Sequence, residues 1–108
     1  MTQAVFLYIL NTVFEWDAKK AGANLAKHGV TFEEAATVFA DADGLDGPDI
    51  HHSTGEARFL RLGQSVLGHI LIVAYTLRTS GHVETIRLIS ARRASRKERA
   101  AYGGLAKD

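Results

Sequence analysis

"ARFLRLGQSVLGHILIVAYTLRTSGHVETIRLISARRA", residues 57–94, is the stretch on which the fold turns. Its first two runs, 57–65 and 69–78, are separated by Val66, Leu67 and Gly68, which is a hairpin signal. Ile70 to Leu77 is nearly continuous apolar sequence rich in strand formers. That predicts a central strand covered on both faces. Thr79 to His82 makes the next turn, and residues 83–94 read as a third strand. Three strands joined by short turns form an antiparallel meander.

The flanks read as helices. Asp17 is a good N-cap for a helix that begins at Ala18. Gly29 is its expected C′ residue, with Lys27 and His28 in the last turn, where cations suit the dipole. Thr31 and Glu34 form a capping box, and Phe32, Ala35, Ala36 and Phe39 follow at helical spacing. Residues 41–56 are acidic and turn-rich, hold the single proline, Pro48, and read as a loop with room for a short strand near Leu45. Ser95 and Glu98 make a second capping box, and Gly103 with Gly104 is expected to close the last helix. The expected fold is therefore α+β: two N-terminal helices followed by an antiparallel β-meander and a C-terminal helix, with the helices on one face of the sheet.

The 108 residues fit one domain, expected over 14–108, with 1–13 as an N-terminal extension or extra strand. The apolar run Val5 to Leu10 is far shorter than the roughly 20 residues that span a bilayer. It also lacks the basic start and cleavage site of a secretory signal. With no cysteine, the chain offers no disulfide scaffold, Cys-ligated zinc site or thiol nucleophile. A cytoplasmic location, with no membrane contact, is the expectation.

Charge is unevenly placed. The formal net charge is +1, yet residues 1–57 hold three Lys/Arg against nine Asp/Glu, and residues 58–108 hold ten against three. Such a split points either to a polyanion-binding face or to a dipolar protein whose halves neutralise each other. Five of the thirteen Lys and Arg lie between Arg92 and Ala101. Arg96 and Lys97 fall in the first turn of the last helix, where the dipole disfavours cations. That placement favours service to an anionic partner.

"FEWD", "NLAKHGVTFEEAATVF", "HSTGEARF", "LG", "VAYTLR" and "IRLISARRASRKERAAY", spread in order over residues 14 to 102, resemble the BrnT family of type II toxins. The most specific pair is "KHGV-x-F-E-E-A" with "ISAR-R-A-[ST]-x-x-E-R-x-x-Y". The resemblance implies a RelE-like fold and a small metal-independent ribonuclease that arrests translation. It further implies neutralisation by a cognate BrnA-like antitoxin, with operator DNA bound only through the toxin–antitoxin complex. Two departures stand out: residues 1–13 lie outside the pattern, and Gln64 stands where the family is often basic.

Metal-free RNA cleavage must deprotonate the 2′-OH, stabilise the phosphorane and protonate the leaving 5′-oxygen. Arginine suits the second task because its planar fork matches phosphate oxygens and stays charged. Candidate catalytic residues are His28, Arg58, Arg78, Arg92, Arg93 and Tyr102, and candidate RNA contacts are Arg61, Arg87, Arg96, Lys97 and Arg99. For each arginine the plain alternative is a solvated or ion-paired surface role. Strand parity puts Arg87 with Arg93 and sets Arg92 opposite, so these three cannot all face one site.

His28 reads either as an acid or base or as a helix C-terminal cation. Tyr102 reads as a base-stacking platform, a proton donor or a ring packed on the sheet. Glu56 and Glu98 are candidate bases, though Glu98 already has its capping task. Trp16 reads as core, and His69 and His82 flank turns and read as solvent-facing. Asp49, His51 and His52 raise the thought of a metal, but adjacent side chains rarely converge on one ion, and they read as loop. His52 does fall on the histidine of the family's "H-S-x-x-E". No metal and no cofactor is expected. The acidic loop from Asp41 to Asp49 is a candidate antitoxin contact, or a region that repels RNA. The alternative to a ribonuclease is a non-catalytic nucleic-acid-binding or protein-interaction module with a basic C-terminal face.

Overall fold

Capping residues set the helices of the computed structural model, which describes residues 3–106. Asp17 accepts from Lys20 N at 3.2 Å and starts α1 (Ala18–His28), which Gly29 ends in the left-handed region at φ 71°. Only glycine adopts that φ without strain. Thr31 Oγ1 accepts from Glu34 N at 3.0 Å and starts α2 (Phe32–Thr37), which tightens into a 3₁₀ turn at Val38–Ala40. The Ser95 box closes in both directions: Ser95 N donates to Glu98 Oε1 at 2.7 Å, and Glu98 N donates to Ser95 Oγ at 3.2 Å. The helix that follows, α3 (Arg96–Ala106), runs through Gly103 and Gly104, so the expected stop there does not occur.

Strands come first in the chain, which corrects the expected order. β1 (Ala4–Ile9) and β2 (Thr12–Asp17) form an antiparallel hairpin ahead of α1. Its two-residue turn is Leu10-Asn11, with Leu10 at φ 53°. Hairpin turns normally advertise positive φ with Gly or Asn at that point, so a leucine hides this one. β3 (Leu45–Pro48), β4 (Phe59–Gln64), β5 (Ile70–Ser80) and β6 (Val83–Arg93) complete one sheet in the order β1-β2-β6-β5-β4-β3. The β4-β5-β6 meander is as expected. β2, however, pairs parallel with β6, through Val13–Thr85 to Glu15–Arg87, so the sheet is mixed.

The helices cover one face of this sheet. Phe14, Trp16, Val30, Phe32, Ala35, Ala36, Val38, Leu71, Val73, Tyr75, Leu88 and Ala91 form the core between them. Edge-on and tilted ring pairs lock it, Trp16 on Phe32 and Phe39 against both Phe14 and Tyr75. β5 is central, but only its odd residues Leu71, Val73 and Tyr75 face the helices. Leu77 is 45 % exposed, so that end of the strand is not covered on both faces.

One irregularity decides which residues share a face. Ala74 pairs Ser90 and Tyr75 pairs Leu88, which leaves Ile89 as an extra residue on β6. Such a bulge reverses the alternation. Leu88 and Ala91 both enter the core although three positions apart. Arg87 and Arg92 therefore share the open face, and Arg93 turns to the helix side. The parity expected from the sequence, Arg87 with Arg93, is thus corrected.

α1 covers the free edge of β6 through one side chain. Asn24, buried, donates to Ala91 O at 2.8 Å and to Val30 O at 3.0 Å, and accepts from Ala91 N at 3.0 Å. It satisfies strand groups that β2 does not reach, and it fixes where α1 ends.

Candidate active site

A cleft of about 620 Å³ opens on the sheet face away from the helices. Its floor is Leu60, Ile72, Ala74 and Ser90, and around it stand His28, Asp49, His51, His52, Arg58 and Arg92. These residues come from three distant parts of the chain. His28 arrives from the C-terminus of α1, where Gly29 turns the backbone away. Arg58 leads into β4, and Arg92 sits past the bulge on β6.

The loop 49–58 is closed at its neck. Asp49 N donates to Arg58 O at 2.8 Å, Ser53 Oγ donates to Asp49 O at 2.7 Å, and Arg58 N donates to Ser53 Oγ at 3.0 Å. One serine thus ties Asp49 to Arg58. A 3₁₀ turn at Ile50–His52 brings His52 back over Asp49. The His52 Nδ1 lies 3.1 Å from both oxygens of the Asp49 carboxylate, itself buried. With Nδ1 as donor, Nε2 is left as a proton acceptor.

Arg92 is held rigidly. Its Nη1 and Nη2 donate to the two oxygens of Glu98 at 2.8 and 2.9 Å, and Nη1 also reaches Arg93 O at 3.2 Å. The fork-to-fork pair raises the Arg92 pKa and brings the Glu98 carboxyl down to about 2, with backbone donation from Ser95 adding to the latter. Glu98 serves the helix cap and the arginine together.

The other anticipated residues have separate places. Arg78 and Arg87 lie farther along the open face, paired with Glu56 at 3.4 Å and Glu15 at 3.7 Å. Arg96, Lys97 and Arg99 are exposed on the first turn of α3. Arg93 donates to His69 Nε2 at 2.9 Å on the helix side, and His69 Nδ1 meets Glu34 at 2.7 Å. His69 is thus drawn into a chain rather than left facing solvent.

Arg61 points into the helix layer, where it donates to Val38 O, Asp41 O and Asp46 and lies 5.4 Å over the Phe39 ring. Tyr102 is buried, and its hydroxyl donates to Asp41 Oδ2 at 2.5 Å. That bond is the main reason its pKa is pushed up to about 12. Arg61 and Tyr102 do not line the cleft.

The acidic loop is likewise engaged internally. Asp41 holds Tyr102 and Gln64 N, Asp46 holds Arg61 and Tyr75, and Asp49 holds His52. Among the described residues no three His, Asp or Glu side chains gather as metal ligands. Sequence reading leaves His52 in a loop and outside the candidate catalytic set. Its signals are its place on the family's H-S-x-x-E and the D-x-x-H spacing from Asp49, which becomes a contact only through the 3₁₀ turn.

A mixed sheet backed by helices, with an open cleft carrying three histidines and two guanidinium groups, defines a small α+β protein with a basic cleft on its sheet. The family model "Ribonuclease toxin, BrnT, of type II toxin-antitoxin system" matches residues 16–98, and the chain belongs to that family. The family implies an RNA substrate and an antitoxin partner. The crystal structure of the Brucella abortus ribonuclease toxin BrnT is similar in fold, with a TM-score of 0.55 and 24 % identity. The match covers 75 % of this chain and 94 % of that one. No curated protein matches. No helix among the described residues is long and apolar enough to cross a membrane.

Proposed function

We propose that this chain is a metal-independent endoribonuclease that cuts RNA in the His28–His52–Arg58–Arg92 cleft. The convergence of those four side chains from three parts of the chain carries the reading. His52 Nε2 takes the proton of the 2′-OH, and Asp49 stabilises the imidazolium that forms. The 2′-oxygen attacks the adjacent phosphorus, and the P–O5′ bond breaks. His28, in the last turn of α1 where the dipole favours a cation, gives its proton to the departing 5′-oxygen. Arg58 and Arg92 hold the phosphorane oxygens, with Arg92 positioned by Glu98. The products are a 2′,3′-cyclic phosphate and a 5′-hydroxyl.

In this reading Arg78, Arg87, Arg96, Lys97 and Arg99 guide the RNA backbone, and Arg93 stays with His69. Arg61 and Tyr102 have structural tasks. In the cell the outcome is translation arrest in the cytoplasm. A BrnA-like antitoxin relieves it by covering the cleft, and operator DNA is met only through that complex.

The test is cleavage of a single-stranded RNA in excess EDTA by the purified protein. Cutting should persist in chelator and fall about 100-fold or more in Arg58→Ala/Arg92→Ala. Intact RNA that the protein merely retains, in a salt-sensitive way, would instead mark a binding module.

A further inference from the structure

The open sheet face continues past the cleft to the N-terminal edge, and the strand register aligns its side chains in rows. Phe6 pairs Glu15, Glu15 pairs Arg87, and Arg87 pairs Thr76. Tyr8 pairs Val13, Val13 pairs Thr85, and Thr85 pairs Arg78. Directly opposed residues share a face, so Phe6 and Tyr8 stand on the same surface as Arg78, Arg87 and Arg92. Their neighbours Val5, Leu7 and Ile9 pack the core on the other side.

Phe6 is 54 % exposed and Tyr8 is 70 % exposed. At the usual strand spacing, Phe6 lies about 10 Å from Arg87 and Tyr8 about 14 Å from Arg78. Two rings left mostly in water contribute little to folding and leave flat apolar faces free beside a row of guanidinium groups. They suit a ligand with alternating flat apolar faces and negative charges.

We infer that Phe6 and Tyr8 form a stacking platform for the bases of single-stranded RNA running across the open sheet face into the cleft. This inference rests on the ribonuclease reading above and names its substrate as single-stranded. Arg87 and Arg78 lie between rings and cleft, where they meet the phosphates. Glu15 and Glu56, the carboxylates facing the same strip, neutralise these arginines in the absence of RNA. Duplex RNA, with its bases stacked inside, offers no face to the rings. Phe6 and Tyr8 lie outside the matched residues 16–98, so the family match does not itself assign them a role.

The experiment uses the full chain with His28→Ala/His52→Ala, so that RNA is bound and not cut. Affinity for a 12-nucleotide single strand and for a duplex of the same length is measured by fluorescence anisotropy. Phe6→Ala/Tyr8→Ala should weaken the single strand by tenfold or more and the duplex little, since each stacked base is commonly worth about tenfold. Phe6→Leu/Tyr8→Leu keeps apolar bulk, guards against a folding defect, and should show the same loss.

Single-strand affinity unchanged in both variants overturns the inference while cleavage by the parent protein leaves the ribonuclease reading standing. Altered sedimentation with unchanged RNA affinity assigns the rings to a second copy of the chain and also overturns it. A parent protein that neither cuts nor binds RNA removes both readings.

Discussion

Arg87 and Arg92 project from the same face of the sheet, five positions apart on β6, because Ile89 stands unpaired between them. Without that residue Arg92 would point into the helix layer and Arg93 would face the cleft. The bulge thus aims the arginine, and Glu98 fixes it. Arg92→Lys should lower kcat about 10- to 100-fold with the fold intact, because an ammonium cannot hold both Glu98 oxygens. Steady-state kinetics on a short RNA checks this.

Glu98 gives a pH signature. Its pKa in the folded protein is about 2, below the ordinary 4.5. A depressed carboxyl contributes stability that is present above its unfolded pKa and lost as pH falls through the folded one. The window is therefore between about pH 4.5 and 2. The contribution at neutral pH is no more than about 1 kcal/mol once solvent screening is allowed for. Acid titration of the urea midpoint should be shallower for Glu98→Gln over that window.

Tyr102→Phe removes the hydroxyl that Asp41 accepts, and it should cost about 1–2 kcal/mol, or several degrees in Tm. Asp41 is itself lowered, chiefly by this bond, against the opposing effect of burial. Tyr102, raised to about 12, contributes stability that is full below pH 10 and lost as pH rises through the folded value. Calorimetry at pH 7 and pH 11 should therefore show a smaller gap between parent and variant at the higher pH. A fall of 100-fold in kcat would return the tyrosine to the chemistry.

Asn24→Ala leaves Ala91 N–H, Ala91 C=O and Val30 C=O without their partner. The expected cost is about 2–4 kcal/mol, since each buried orphan costs about 1–3 kcal/mol less whatever water restores. Urea denaturation measures it. Activity should fall as well, because α1 carries His28.

Asp49→Asn keeps the loop neck, which uses the main chain of Asp49, but loses the carboxylate beside His52. We expect kcat to fall about 10- to 100-fold with KM little changed, read from single-turnover kinetics. Equal loss in KM would make Asp49 a binding residue instead.

Much of the fold is legible in the sequence because caps and apolar periods are local. Asp17, Gly29, Thr31 and Ser95 mark helix ends, and Ile70 to Leu77 marks the strand at the sheet's centre. The first hairpin is hidden by Leu10, which takes a left-handed φ that no composition rule expects. The bulge leaves only a faint trace: Leu88 and Ile89 are two apolar residues in a row within an otherwise alternating run, and such a doublet does not by itself say which residue stands unpaired. The cleft was half legible. Arg58, Arg92 and His28 stand out by chemistry, but His52 needs Asp49, and their contact depends on a turn held by Ser53. Arg61 looked like an RNA contact and lies on the other face, as its odd position in β4 dictates once Phe59 is known to be core-facing.

The most direct test of the account is a single-stranded RNA bearing one 2′-deoxy nucleotide at the mapped cut site, incubated with the protein in EDTA beside the all-ribose strand. The account predicts that the all-ribose strand is cut to a 2′,3′-cyclic phosphate, identified by mass, and that the deoxy strand stays intact at that position. Cutting at the deoxy position, or loss of all cutting in EDTA, would contradict it.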